Sequence, residues 1–388
     1  MKTKNFGVYI HIPFCRQKCL YCDFASLNIN KINKSLTDIE IYHQYIEALC
    51  QEIVLYQELF PDIYIDTIYF GGGTPSILPA NLIEKVLNTL RDNFALNPHA
   101  EITLEANPGT VDESKLTYLK SIGINRLSFG VQSTQNELLQ KIGRIHTIEE
   151  ADTIIDTAKK IGFKNISLDL MYGLPSQTLA LLKASVSWAL SKKVQHISIY
   201  GLQIEDGTPF GKMHEKGQLP LPSEEIVESM YDYLTETLPK HGYNRYEISN
   251  FSLKNYESKH NLAYWQDKYY LGLGSGAHGY YNHKRVQNPF DLKTYIDKCK
   301  AHIFPYEDEE ILDEKAHIEE FCFLSLRTSA GIDKEIFRQK FNLDVEILYK
   351  KQLAKLLNEN LIENNNERIF LTKKGMKFGN MVFEEFLL

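Results

Sequence analysis

Three cysteines, Cys15, Cys19 and Cys22, fall within eight residues, on the heels of the apolar run Val8-Tyr-Ile-His-Ile12. A zinc site needs four ligands, usually as two CxxC or HxxxH pairs, and a second pair is missing. A ferredoxin-like cluster takes four cysteines, also missing. A chance trio of buried thiols is the bland alternative, and close spacing on one loop makes it a minor one. Three thiolates without a fourth suit a cubane [4Fe–4S] cluster with one iron left open. An open iron can take a small chelating molecule. The other three of the six cysteines, Cys50, Cys299 and Cys322, are scattered. Clustered thiols in a long chain without a secretory segment point to metal or redox chemistry rather than disulfides.

The elements that must carry this loop repeat from the N-terminus. Short apolar runs at 7–12, 65–70, 101–105, 126–132, 166–172 and 196–200 read as buried parallel strands. Amphipathic stretches separate them. Thr37-Asp-Ile-Glu40, Thr110-Val-Asp-Glu113 and Thr147-Ile-Glu-Glu150 have capping-box spacing, and Pro79 opens a further helix. Six βα units before residue 205 imply a parallel sheet with right-handed crossovers. Pattern alone leaves a full barrel, a partial barrel and an open doubly wound sheet equally allowed. In any of them the cysteine loop lies at the C-terminal edge of the strands, where such folds place their sites.

Beyond the repeat, residues 205–222 read as a long loop, 223–241 as a helix and 243–281 as an irregular aromatic segment. Residues 332–341 and 345–358 look like helices and 361–371 like a hairpin, together a small winged-helix-like unit. The expected division is 1–205, 206–315 and 316–388. At 388 residues with 43% hydrophobic content the chain has ample material for a core. Its net charge of −7 argues against a dedicated nucleic-acid binder. Residues 331–388 carry ten basic against nine acidic side chains, so that unit is expected to pack or dock rather than read DNA. No apolar run approaches the roughly 18–20 residues of a membrane span. The N-terminus lacks the apolar core of a signal peptide, so the expected location is cytoplasmic.

Several strands end in polar residues: Glu105, Gln132 and Asp169. On a buried strand each must find a partner. Gly71, Gly72 and Gly73 end the second strand, where missing Cβ atoms let backbone approach a ligand. Outside the repeat, His260-Asn-Leu-Ala-Tyr-Trp265 offers an imidazole among aromatics, and imidazole is a common haem ligand.

The Cx3CxxC spacing with Tyr21 before the last cysteine resembles the radical S-adenosylmethionine (SAM) superfamily, in which SAM chelates the open iron. Tyr9-Ile-His-Ile-Pro-Phe-Cys15, Phe70-Gly-Gly-Gly-Thr-Pro75, Phe129-Gly-Val-Gln132 and Asp169-Leu-Met-Tyr-Gly-Leu-Pro175 resemble the oxygen-independent coproporphyrinogen oxidase family, in the same order and over nearly the whole chain. The resemblance implies an α/β fold, a partial (β/α)6 radical SAM barrel with extra α/β elements and a small C-terminal winged-helix-like domain. It implies a cluster on Cys15, Cys19 and Cys22, and SAM held by Tyr9, Gly72, Gly73, Thr74, Glu105, Gln132, Arg144 and Asp169.

The HNxxYW string resembles HemW, the haem chaperone branch of that family, and implies haem binding at His260. His278, in Gly276-Ala-His-Gly279, is the next candidate ligand. Two departures from the oxidase agree with the chaperone branch. Phe24 stands where the oxidase carries a fourth cysteine, and only fourteen residues precede Cys15. The expected function is therefore haem binding and transfer to an acceptor protein. The alternative is a radical SAM oxidoreductase of the coproporphyrinogen oxidase type.

Overall fold

The computed structural model describes residues 5–32 and 36–388. Six strands, β1 (Asn5–Ile12), β2 (Tyr64–Gly72), β3 (Ala95–Ala106), β4 (Arg126–Gln132), β5 (Ile166–Tyr172) and β6 (His196–Gly201), pair in parallel in chain order. The main helices between them are α1 (Asp38–Leu59), α2 (Ala80–Asn93), α3 (Glu113–Ser121), α4 (Ile148–Ile161) and α5 (Leu179–Ser191), with a short helical segment, Asn136–Lys141, before α4. Their apolar faces and the strand interiors share one continuous core.

Local chemistry explains where these helices start. At α1 the backbone N–H of Thr37 donates to Glu40 Oε2 at 2.7 Å while Glu40 N–H donates to Thr37 Oγ1 at 3.4 Å. Thr147 and Glu150 close the same box on α4 at 2.8 and 3.3 Å. Thr147→Ala should therefore lower stability by about 1 kcal/mol in a urea titration, the usual worth of an N-cap. At α3 the expectation is corrected. Asp112, not Thr110, caps the helix by accepting from Lys115 N–H at 2.8 Å, and Thr110 Oγ1 instead donates to Asn107 O at 2.8 Å. Asp112 lies closer to the helix and accepts without needing a hydroxyl rotor.

After α6 (Glu224–Lys240) come β7 (Asn244–Arg245), β8 (Asn250–Ser252) and α7 (Lys259–Trp265). Then follow β9 (Tyr270–Leu273), β10 (His278–Tyr281), β11 (Lys284–Gln287), α8 (Leu292–Lys300) and β12 (Asp308–Ile311). The full sheet runs β12-β11-β10-β9-β1-β2-β3-β4-β5-β6-β8-β7. The expected irregular segment thus contains a seventh parallel strand, β9, whose Tyr270–Leu273 pair with Gly7–Ile10. The sheet keeps two free ends, so it is a partial barrel with antiparallel strands at each side. Its curvature shows in the contacts of one segment. His260 reaches Thr67 on β2 and Glu101 on β3, while Tyr246 OH bonds both Ser258 N at 3.2 Å and His196 of β6 at 2.8 Å.

The expected loop at 205–222 also holds a helical turn, Pro209–Glu215, begun by Thr208 as cap. In the tail, α9 (Glu314–Leu326), β13 (Ile332–Asp333), α10 (Lys334–Phe341), α11 (Lys350–Asn358), β14 (Ile362–Asn364) and β15 (Arg368–Leu371) surround a second core. The strands form a small antiparallel sheet, β13-β15-β14, which gives the expected winged-helix-like unit. The expected helix at 345–358 is broken at Tyr349, which is fully buried and donates its hydroxyl to Phe386 O at 2.9 Å. The tail docks on the main body through Asp267, which accepts from His317 Nε2 at 2.8 Å and pairs with Lys340. No helix among the described residues is long and apolar enough to cross a membrane.

Candidate functional site

The cysteine loop leaves β1 and is pinned at both ends, because Phe14–Cys15 pair in parallel with Leu27–Asn28. Cys15 is buried, whereas Cys19 and Cys22 are half-buried. The loop's crest rests on the segment after β4. Leu20 N–H donates to Ile142 O at 3.1 Å, and Gln17 Nε2 to Gly143 O at 3.0 Å. Leu20 and Tyr21 pack on a small apolar cluster that includes Leu139, Ile142, Met171 and Phe210, which gives the aromatic before Cys22 a structural reason. Arg144 points one guanidinium nitrogen at Cys19 Sγ, 3.6 Å away, and another at Gly130 O. Burial pushes the Cys15 and Cys22 thiols up, and for Cys15 the Thr74 hydroxyl at 3.5 Å pulls the other way. Among the described residues no three His, Cys, Asp or Glu side chains converge on a single metal ion. A cubane does not ask for that convergence, since each thiolate takes a different iron.

The glycine turn after β2 lies against this loop. Gly73 N–H donates to Ile12 O at 2.8 Å, and Thr74 N–H to Phe14 O at 2.9 Å. A Cβ on Gly73 would sit 3.0 Å from Cys15 Sγ, and one on Gly72, whose φ is +110°, 2.6 Å from the His11 ring. Next along the strand ends, Tyr69 OH donates to Glu105 Oε1 at 2.7 Å. Burial pushes the Glu105 carboxyl up to about 7, with nearby Asp169 adding to the effect. Asp169 accepts from Ser128 Oγ at 3.1 Å on both oxygens and is also held above the usual carboxylate range by burial. Gln132, at φ +68°, and Arg144 meet over Gly130, where an added Cβ would lie 3.1 Å from both side chains. Gln132 Oε1 and Arg144 Nε are buried with no partner among the described residues. Tyr69 and Ser128 were missed in the sequence, although both sit on the face that alternation assigns to Tyr9 and Glu105.

Tyr9, His11, Gly72 and Glu105 form one wall of an open cavity of about 380 Å³. Phe24 and Ala25 of the cysteine loop and the rings of Tyr264 and Tyr270 form the rest, with His278 beside them. His260 does not line it. Its ring is buried beneath, with Nδ1 bonded to Thr67 Oγ1 and Nε2 to Tyr264 OH, both at 2.8 Å. Burial and the charge of Arg126 push it down to about 3. The expectation of an available imidazole at 260 therefore does not hold in this conformation: both nitrogens are engaged. Trp265 also departs from expectation. It turns toward the tail, with the Arg327 guanidinium 4.9 Å over its ring, while Tyr264 alone faces the cavity.

Parallel strands delivering three thiols and a polar rim to one edge define a radical SAM protein, and the Radical SAM superfamily model matches residues 9–189. The model of the HemN C-terminal domain matches residues 312–378. Within that class the chain belongs to the family of haem chaperones called HemW. It is 41% identical over 391 residues to "Heme chaperone HemW" of Lactococcus lactis, covering 100% of this chain and 99% of the relative. It is also 41% identical over 386 residues to the protein of that name from Bacillus subtilis, covering 98% and 99%. In three dimensions it resembles coproporphyrinogen III oxidase (HemN) of Escherichia coli, with a TM-score of 0.86 and 24% identity over 99% of this chain and 90% of that one. That likeness establishes the fold.

Proposed function

We propose that the chain is a haem chaperone that binds haem at the open cavity and passes it to an acceptor protein in the cytoplasm. Cys15, Cys19 and Cys22 would hold a [4Fe–4S] cluster, and the strand-end rim would hold SAM. The observation that carries this reading is the shared cavity: the cysteine loop, the polar strand ends and an aromatic wall all border it. The residues fit SAM, because Gln132 Oε1 and Arg144 Nε are buried polar atoms with no partner among the described residues.

A cluster and SAM, once bound, supply one-electron chemistry at the sulfonium centre. The chain's own part is positional. Glu105 and Asp169 offer carboxylate acceptors suited to ribose hydroxyls, oriented by Tyr69 and Ser128. Arg144 places positive charge beside Cys19, where a cluster's negative charge would develop. Tyr9 is fixed by its bond to His11 Nδ1 at 2.9 Å, and Gly72, Gly73 and Thr74 hold the turn against the loop. His260 supports the aromatic wall from below by orienting Tyr264. We assign 1–205 to the cluster and SAM barrel, 206–315 to its extension with the HNxxYW string, and 316–388 to the docking unit.

Anaerobically reconstituted protein should bind about one haem per chain and should not turn over coproporphyrinogen III when given SAM and a reductant. Sustained multiple turnover would overturn the chaperone reading and favour the oxidoreductase. In parallel, Asp169→Ala should weaken SAM binding by about 1.5–3 kcal/mol in calorimetry, the scale of a hydrogen bond to a charged group. An unchanged SAM affinity would remove Asp169 from the rim.

A further inference from the structure

We propose that Arg126 is a positioning residue of the SAM site, keeping the Glu105 and Asp169 carboxylates ionised from beneath the rim. The inference rests on the SAM rim proposed above and adds what holds its acceptors in the accepting form. Arg126 opens β4 and is 2% exposed. Its Nε and Nη1 are buried with no partner among the described residues. A cation taken out of water destabilises the fold unless opposite charge lies near it. Inward positions of a barrel are ordinarily branched and apolar, so a guanidinium there calls for a reason beyond packing.

Strand register shows what the guanidinium faces. Thr103 of β3 pairs with Arg126, and Glu105 with Ser128. Alternation puts Arg126 and Ser128 on one face of β4, and Glu101, Thr103 and Glu105 on one face of β3. Ser128 donates to Asp169, so Arg126 lies one step below the rim, diagonal to both Glu101 and Glu105. Burial works against its charge, and Glu101, Tyr69, Tyr246 and Asp169 more than offset that. In return, burial raises the Glu105 and Asp169 carboxyls and the charge of Arg126 pulls both down. Glu101 is also tied elsewhere, accepting from His260 N–H at 3.2 Å at the start of α7. The other cation of the rim, Arg144, is directed at Cys19 Sγ and Gly130 O. The remaining neighbours stay neutral near pH 7. Burial and Arg126 push the His196 and His260 imidazoles down, and burial pushes the Tyr9, Tyr69, Tyr200, Tyr246 and Tyr264 hydroxyls up. Glu247, beside Tyr200, is raised by burial and drawn down by Arg245 and Arg327.

The test is SAM affinity measured by calorimetry against pH, on the full chain with its cluster reconstituted anaerobically. Wild type should bind SAM more weakly as pH falls through about 7, where Glu105 takes up a proton. Arg126→Met should move that profile up by about one pH unit or more, the effect of removing an opposite charge beside a carboxyl. Its affinity should then be about fivefold lower at about pH 7 and return toward wild type at about pH 8.5, as the ionised fraction recovers. Arg126→Lys should restore the wild-type profile. Titration of SAM itself is common to every variant, so the displacement between profiles is the readout. Glu101→Gln keeps an acceptor for His260 N–H and, with one negative charge fewer around Arg126, should move the profile down. That variant decides the matter if Arg126→Met does not fold. An Arg126→Met profile like wild type, a loss equal at every pH, or an unmoved Glu101→Gln profile overturns this inference and leaves the SAM reading standing. A wild type that binds no SAM overturns the SAM rim itself.

Discussion

Replacing Cys15, Cys19 and Cys22 together by Ala should give a folded chain without bound iron. Wild type, reconstituted anaerobically with iron and sulfide, should hold about four irons per chain, the content of one cubane. The triple variant should hold none and lose the visible absorption of the cluster. The fold should survive, because the loop's anchors are backbone bonds at Leu20 and Leu27 and the apolar contacts of Leu20 and Tyr21, none made by a thiol. The remaining cysteines serve as controls. Cys299 and Cys322 are buried in the two separate cores, and Cys50 accepts from Thr89 Oγ1 at 3.3 Å on α1. Changing any of those three should leave iron content as it was. A full complement of iron and sulfide in the triple variant would remove the cluster from this loop.

Glu52→Ala should cost about 3–5 kcal/mol of unfolding free energy, the range for opening a buried site and leaving its partners unpaired. Glu52 is fully buried on α1 and accepts from Gly274 N–H at 2.8 Å, Tyr295 OH at 2.7 Å and Asn288 Nδ2 at 2.7 Å. Truncation takes the acceptor from Gly274 N–H and Tyr295 OH, and leaves Asn288 Nδ2 only its bond to Gly274 O at 2.9 Å. The cost should also depend on pH. Burial pushes the Glu52 carboxyl up to about 7, against the opposing pull of its three donors. Between the ordinary glutamate value of about 4.5 and about 7, the folded chain keeps a proton that the unfolded chain has released. Stability from this group is therefore fully present below about 4.5 and is lost as pH rises through about 7, by about 3 kcal/mol in all. Glu105 adds a dependence of the same sign, so the informative quantity is wild type minus variant. That difference should be larger at pH 5 than at pH 8. A difference flat across this range would mean Glu52 ionises like an exposed glutamate.

Glu52 also shows what a sequence conceals. Tyr45, Leu49 and Glu52 share one helical face, and the apolar members of that face were legible as core. The carboxylate among them reads as a solvated charge until the partners at 274, 288 and 295 are known. The same limit applies to β9. Strands β2, β4, β5 and β6 announce themselves by local apolar runs ending in polar turns, whereas Tyr270-Leu-Gly-Leu273 is four residues inside an aromatic stretch. Its status as a strand comes from pairing with residues 7–10, which no local periodicity records. The cysteine spacing was fully legible because the ligands are sequence neighbours. Arg144 was the opposite case: an Arg in a loop usually faces water, and only the fold brings it to Cys19. His260 was legible as unusual, but its burial under Tyr264 is a tertiary fact.

The pairing of β9 with β1 bears on how the chain is made. Synthesis proceeds at about 5–20 residues per second, so on the order of ten seconds to a minute separates the emergence of β1 from that of its outer neighbour. During that interval β2 covers one edge of β1, and the other edge, at Gly7–Ile10, has nothing to pair with. An unpaired strand flanked by Phe6, Val8, Ile10 and Ile12 is a template for association with other nascent chains. The ribosome releases the cysteine loop early, yet the strand that completes its support arrives only when most of the polypeptide has been made. Chains stopped before residue 270 should accordingly aggregate through this edge rather than persist as a smaller barrel.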